Sequence, residues 1–317
     1  MTDTVDTVLG PVPVAALGAT LMHEHIFSFH SDLVGDYPWE EEEEFVAGAI
    51  DKLRRVKVAG IDTIVDLTVV GLGRNVRRVA RIAEATGVNI VAATGIYASC
   101  CMPTYFSRSM PSYGPTFIED FFVREIEEGI GRTGIRAAAI KCVTDREGVT
   151  PDVDVMLRSA ARAQIRTDVP ISTHTDAFLE TGLMQQRIFR QEGVDLGRVV
   201  IGHCGESTDL DYLQRLLDAG SYIGMDRFSL YGMTSLERRL ATIAALCERG
   251  YASRIVLSHD RNVGGDITPQ DSMDTWYFGH IPTVVLPGLR EHGVSDADIE
   301  LMMTGNPAAI FGARRAA

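Results

Sequence analysis

The sequence predicts an α/β fold, a (β/α)8 barrel, on three observations. Strand-like apolar runs alternate with helix-like segments eight times. No linker, low-complexity tract or break in composition divides the 317 residues, so one barrel domain over 1–317 is expected, although length alone would allow two. The polar residues that end the strands are rich in histidine, and such barrels keep their chemistry at the C-terminal ends of the strands. A doubly wound sheet is the alternative, but no GxGxxG follows the first strand, which counts against a dinucleotide-binding version.

The first strand is expected at about 20–25, after a polar N-terminus containing Gly10 and Pro11. The acidic run 40–44 opens a helix reaching about Ala59, because carboxylates suit a helix N-terminus. Thr63-Ile64-Val65-Asp66-Leu67 is the second strand, and a helix from about Asn75 to Ala85 carries Arg74, Arg77, Arg78 and Arg81, read as ordinary surface charge. The third strand runs Ile90-Val91-Ala92-Ala93-Thr94-Gly95-Ile96-Tyr97. A long Pro/Tyr/Ser-rich loop is expected from Cys100 to about Pro115, and long loops in compact domains are often functional. An amphipathic helix then begins at Phe117.

The fourth strand, Ala137 to Cys142, leads to a helix at about 152–167 with Pro151 at its start. Val169-Pro170-Ile171-Ser172-Thr173-His174 is the fifth strand, Val199-Val200-Ile201-Gly202-His203 the sixth and Tyr222-Ile223-Gly224-Met225-Asp226 the seventh, with helices at about 179–192 and 209–219 between them. A helix at about 235–249 precedes the eighth strand, Ile255-Val256-Leu257-Ser258-His259-Asp260. A long loop follows at about 261–279, then helices at about 282–292, 295–303 and 306–312, the last with Asn306 as its cap and Pro307 in its first turn.

The bulk properties exclude some partners. A formal net charge of −13 argues against nucleic acid and anionic membranes. No stretch approaches the roughly 18 apolar residues of a spanning helix, and no signal-peptide pattern opens the chain. Five cysteines form no disulfide framework or CxxC motif, so a reducing, cytoplasmic setting is expected. Cys142 and Cys204 have core parity. Cys100-Cys101 is read as packing near the pocket, with a vicinal disulfide or metal site as the alternative.

The candidate site gathers His23 and His25 from the first strand, Lys141 from the fourth, His174 from the fifth, His203 from the sixth and Asp260 from the eighth. Alternation along a strand puts His23 and His25 on one face and Glu24 on the other. It puts Lys141 with Ala137 and Ala139, and Asp260 with Ser258, leaving His259 outward as a satisfied residue of the helix layer. Four of the eight histidines fall in this set, and His280 and His292 are assigned no role. Histidines and a carboxylate suit a two-cation site, but an ammonium offers no lone pair. Lys141 therefore forms a salt bridge, acts as a Schiff-base nucleophile, or reacts with carbon dioxide to give a carbamate that bridges two cations; the surrounding histidines favour the carbamate.

These motifs, His23-Glu24-His25, Ile140-Lys141-Cys142, Thr173-His174-Thr175, Gly202-His203-Cys204-Gly205-Glu206 and Ser258-His259-Asp260, resemble the phosphotriesterase family of the amidohydrolase superfamily. The resemblance runs from about residue 7 to 312. Thr94-Gly95-Ile96-Tyr97 and Gly224-Met225-Asp226-Arg227-Phe228 make the chain most similar to the phosphotriesterase-like lactonases. The resemblance implies two divalent metal ions, with zinc expected and cobalt, iron or manganese as alternatives. His23, His25 and Asp260 would hold the more buried ion, His174 and His203 the other, and N6-carboxylated Lys141 with a hydroxide would bridge them. Tyr97 would stand beside the substrate carbonyl and Arg227 would shape the pocket near the eighth loop. Asp260 would take the hydroxide proton and pass it to the leaving alkoxide.

Trp276, Tyr277 and Phe278 would line an acyl channel or pack on the barrel rim. The implied activity is opening of N-acyl-homoserine or other small lactones, with organophosphate triesters as a side reaction and a homodimer as the assembly. The alternatives are a dedicated phosphotriesterase, another amidohydrolase such as a cyclic amidase, a metal-binding barrel without turnover, and a metal-free lysine aldolase.

Overall fold

The computed structural model describes residues 3–29, 42–228, 232–265 and 278–312; Glu40, Glu41, Trp276 and Tyr277, which carry expectations above, lie outside the described residues. A short antiparallel hairpin that the sequence reading did not foresee comes first: β1 (Thr4–Thr7) pairs with β2 (Gly10–Pro13). Its Val5, with Val14 and Leu17 just after it, packs with Ile310 and Phe311 from the chain's last helix, which plugs the N-terminal end of the barrel.

The barrel strands follow in sequence order: β3 (Thr20–Ser28), β4 (Thr63–Asp66), β5 (Asn89–Gly95), β6 (Ala139–Thr144), β7 (Ile171–Thr175), β8 (Val199–Ile201), β9 (Tyr222–Met225) and β10 (Ile255–Leu257). Each is parallel to the one before. The eighth strand is split. β10 pairs with β9, the chain breaks at Ser258 to Arg261, and β11 (Asn262–Gly265), expected as loop, pairs with β3. Asp260 N donates to His23 O at 3.0 Å and His25 N to Arg261 O at 2.8 Å, so the break itself joins the two edges of the sheet. The architecture is an α/β barrel of the TIM type.

Side-chain alternation sorts the core into two layers. Met22, Val65, Val91, Ala93, Ala139, Val200, Tyr222 and Val256 fill the barrel interior. Leu21, Ile64, Ile90, Ile140, Ile171, Ile201, Ile223, Ile255 and Leu257 face the helices. A register shift in β3 between Leu21 and Glu24 falls across His23 and re-aims the strand at the histidine pair.

The helix layer follows the sequence expectations closely in α1 (Glu42–Val58), α2 (Val76–Thr86), α5 (Pro151–Thr167), α6 (Thr181–Glu192), α7 (Leu210–Asp218) and α8 (Leu236–Glu248). The caps carry the reason: Asn75, Thr150, Asp209 and Ser235 each accept a backbone N–H of the following turn.

Three expectations are corrected. The loop after Cys100 contains a helix, α3 (Thr104–Tyr113), held by Phe106 against Phe117 and Phe121 of α4 (Phe117–Glu127). Arg74 is not surface charge. It is nearly buried and forks onto Glu125 at 2.8 and 2.6 Å, while Thr94 Oγ1 donates to the same carboxylate at 2.7 Å. Asn306 does not cap a helix. The chain stays helical from Asp296–Glu300 through a π turn at Leu301–Gly305 into Asn306–Phe311. The Asn306 amide donates instead to Ala252 O and Ile255 O at 2.8 and 2.7 Å, clamping the base of β10.

Candidate metal centre

The strand ends bring His23, His25, Lys141, His174, His203 and Asp260 to one spot inside the C-terminal rim, and all but the partly covered Asp260 are buried. Lys141 Nζ lies 2.5 Å from His23 Nε2 across the barrel. His23 Nε2 and His25 Nε2 stand 3.5 and 3.4 Å from Asp260 Oδ1, and donor atoms of these three residues lie within 4.8 Å of one another. His203 Nε2 faces His174 Nδ1 at 2.9 Å, and Asp260 Oδ2 lies 3.7 Å from the same His203 nitrogen.

The backbone is strained where these groups are aimed. His203, Arg227 and Asp260 have φ of 61°, 60° and 51°, a region that non-glycine residues rarely occupy. Each follows the end of a strand, where the chain must turn sharply to keep a polar group over the barrel mouth. The other two described non-glycine residues of this kind, Asp168 and Glu180, sit at helix ends.

Behind the ring lies a layer of carboxylates and a hydroxyl to which sequence reasoning gave no role. Asp226, fully buried, accepts from His203 Nδ1 at 2.8 Å and from the His203 backbone N–H at 3.0 Å. Its Oδ2, which takes the His203 backbone N–H, also lies 3.3 Å from His23 Nδ1, without the alignment of a hydrogen bond. Thr68 Oγ1, 2.9 Å from His25 Nδ1, donates to Asp66 Oδ1 at 2.6 Å. Asp145 Oδ2 lies 3.5 Å from His174 Nε2. Glu24 on the outer face accepts from His259 Nδ1, Ser258 Oγ and the His259 N–H at 2.6, 3.0 and 2.8 Å. This is the satisfied helix-layer role expected for His259. Asp66, Asp145 and Asp226 stand at or just past the ends of their strands, so the strand-end rule that found the histidines could have found them too.

These contacts set tautomers. A carboxylate or hydroxyl behind one ring nitrogen holds the proton there and leaves the other nitrogen a lone pair facing inward. Burial pushes His23 down to about 4, with the Lys141 charge adding to it, and burial also lowers His174 and His203. Asp260 is raised by burial but held well below the usual carboxylate range by His203, His23, His25 and Arg227. Neutral imidazoles and an ionised carboxylate are the donor forms a divalent cation requires. His203 Nε2, left with a lone pair by the proton held on Nδ1, lies 2.9 Å from His174 Nδ1, so the two nitrogens stand close enough to share one cation. The residues therefore fit a metal site.

The remaining expectations divide. Tyr97 meets His174 edge-on with ring centroids 5.7 Å apart, and burial, with Asp260 and Asp145, raises its hydroxyl to about 12. Arg227 bridges the rim, donating to Asp260 Oδ2 at 2.9 Å and Glu206 Oε2 at 2.8 Å. Phe278 is buried and stacks on His259 at 6.0 Å, so it packs against the barrel rather than lining a channel. Cys142 and Cys204 are core thiols, as their parity predicted. Cys100 and Cys101 are both exposed. Among the described residues, no helix is long and apolar enough to cross a membrane.

Comparison with known proteins gives a consistent result. The model of the phosphotriesterase family matches residues 3–311. The chain is 49% identical over 316 residues to the phosphotriesterase homology protein of Mycobacterium tuberculosis, covering 97% of each. It is 38% identical over 303 residues to the aryldialkylphosphatase of Saccharolobus solfataricus, covering 93% of this chain and 95% of that one. Among solved structures it is similar to the phosphotriesterase from Mycobacterium tuberculosis, with a TM-score of 0.93, 48% sequence identity, and coverage of 97% of this chain and 98% of that one.

Proposed function

The chain belongs to the phosphotriesterase family of metal-dependent hydrolases, and from that premise we propose that it opens lactones, N-acyl-homoserine lactones or other small cyclic esters, with organophosphate triesters as a side substrate. The observation that carries this reading is the buried ring of four imidazoles and one carboxylate around Lys141, with His23, His174 and His203 kept neutral by burial, faced by a tyrosine hydroxyl that stays protonated at neutral pH.

His23, His25 and Asp260 would hold one divalent cation, His174 and His203 a second, and N6-carboxylated Lys141 would span both. When bound, such a pair supplies Lewis acidity and lowers the pKa of a shared water toward neutrality. An amine adds to carbon dioxide only when neutral, and burial brings Lys141 down to about 8, so far more of it is neutral at physiological pH than of an exposed lysine. Its nitrogen bonds the carbon of carbon dioxide and loses a proton, which leaves an anionic carbamate.

Tyr97 donates a hydrogen bond to the substrate's carbonyl oxygen as negative charge develops there. Asp260, oriented by Arg227 Nε at 2.9 Å, accepts the proton of the attacking water and returns it to the departing ring oxygen. The product is a hydroxy acid. Trp276, which lies outside the described residues, is assigned to the acyl chain on its place in the loop after the eighth strand. A tetrahedral phosphorus ester resembles the intermediate of this reaction, which accounts for the side activity.

A dedicated phosphotriesterase is the second reading, favoured by the 38% identical relative that carries the name aryldialkylphosphatase. The test is metal-loaded protein on a long-chain acyl-homoserine lactone beside paraoxon, with a chelator-stripped control. Metal-dependent lactone opening far above the paraoxon rate supports the lactonase, a dominant paraoxon rate replaces it with the second reading, and inactivity on both overturns the two together.

A further inference from the structure

Cys100 and Cys101 take no part in the metal centre, yet they are the two exposed thiols among five cysteines, and they are adjacent. Their Sγ atoms lie 3.5 Å apart, at van der Waals contact. The backbone is anchored on both sides of the pair. Thr150 Oγ1 donates to Cys100 O at 2.6 Å, and the Met102 N–H donates to Asp152 Oδ2 at 2.8 Å. The thiols are thus presented to solvent on a fixed segment, three residues beyond Tyr97. Among the described residues neither belongs to a cluster with metal-ligand geometry, which separates the pair from a built metal site.

We propose that Cys100 and Cys101 form a redox modification site, closed by hydroperoxides into a reversible vicinal disulfide. The thiolate of one cysteine attacks a peroxide oxygen, forming an S–O bond as the O–O bond breaks; the leaving oxygen takes up the proton the thiol had released and departs as water, or as an alcohol from an organic hydroperoxide. The second sulfur, already in contact, attacks that sulfenic sulfur; the S–S bond forms, the S–O bond breaks, and the oxygen departs as a second water with the thiol proton. The sulfur pair loses two electrons and the peroxide gains them. Proximity favours this closure over further oxidation of the sulfenic acid.

The ring is strained by construction. Adjacent Cα atoms are about 3.8 Å apart across the trans peptide, below the roughly 4.4–6.8 Å usual for a disulfide. Strained, exposed disulfides are the readily reduced ones, so the site resets with a small thiol. Closure also pulls on Cys100 O and with it on Thr150, the N-cap of α5. The turn before α5 carries Asp145, which stands behind His174, and this path couples the thiols to the catalytic rim.

The experiment treats the metal-loaded protein with limiting hydrogen peroxide and reads the 100–101 peptide by mass spectrometry beside a free-thiol count. The expected result is an intramolecular loss of two hydrogens in that peptide, free thiols falling from five to three, and full reversal by dithiothreitol. Cys100→Ser, a near-isosteric change at an exposed site, should keep its basal hydrolysis and gain no such bond. Sulfinic acid at either position, a disulfide between chains, or a pair that stays reduced while other thiols react would overturn the assignment. Hydrolysis should fall several-fold on oxidation and return on reduction; an unchanged rate in fully closed protein would overturn the coupling to the rim.

Discussion

Lys141 and Asp226 decide the site at the scale of single residues. Lys141 is buried with its amine 2.5 Å from His23 Nε2 and Asp260 close by. Lys141→Ala should lose bound metal and activity together, measured as metal per chain after dialysis; a variant that kept both cations and full turnover would end the bridging role. Sequence reasoning gave Asp226 no role, although it too follows a strand end, because its work lies behind His203 rather than in front of the substrate. Asp226→Asn keeps the shape but removes the charge that holds the His203 proton on Nδ1. A loss of metal affinity of about 10- to 100-fold is expected, read by competition with a chromophoric chelator. Unchanged affinity would mean that His203 keeps its tautomer without help. The histidines themselves were legible because metal-binding residue types recurred at strand ends. The carboxylates behind them stand at strand ends too, but an aspartate after a strand is also an ordinary turn residue, which masks the signal.

At the scale of elements, close approach between strands sets what can be changed. Gly95 ends β5 with φ 142°, and a Cβ there would overlap Lys141 O on the neighbouring strand. Both the backbone angle and the space require glycine. Gly95→Ala should destabilise the protein on the order of 3 kcal/mol, as strain at a special φ combined with overpacking does. A urea midpoint shifted by less than a tenth would contradict this account. The same scale shows why α3 escaped the sequence reading. Its composition, with Pro111 inside and Pro103 before it, reads as loop, and only the packing of Phe106 on Phe117 and Phe121 makes it helical. Asn306 looked like a cap because cap chemistry is local, while the two carbonyls it binds come from residues about fifty positions earlier in the chain.

Across the whole molecule, burial of the imidazoles ties stability to pH. His23 titrates near 4 in the folded state against 6.5 ordinarily. Above 6.5 it is neutral folded or unfolded and contributes no slope. Between 6.5 and 4 the unfolded chain takes up a proton that the folded chain refuses, so stability falls as pH falls. For His23 alone the loss is on the order of 3 kcal/mol, and the lowered His174 and His203 act in the same direction. Urea unfolding of chelator-stripped protein should therefore show a marked drop from pH 7 to pH 5. A flat profile over that range would mean these histidines are not buried as neutral groups.

The sequence by itself determined the barrel, the family, the interior and exterior faces of the strands, and the residue types at their ends, because alternation, the strand–helix period and metal-binding chemistry are local properties of a chain. Only the tertiary structure decided that the eighth strand breaks to place Asp260 between two histidines, that Arg74 turns inward to Glu125, and that Asp226 stands behind His203. Each of these contacts joins groups far apart in sequence, and their positions follow from barrel closure, which no local pattern encodes.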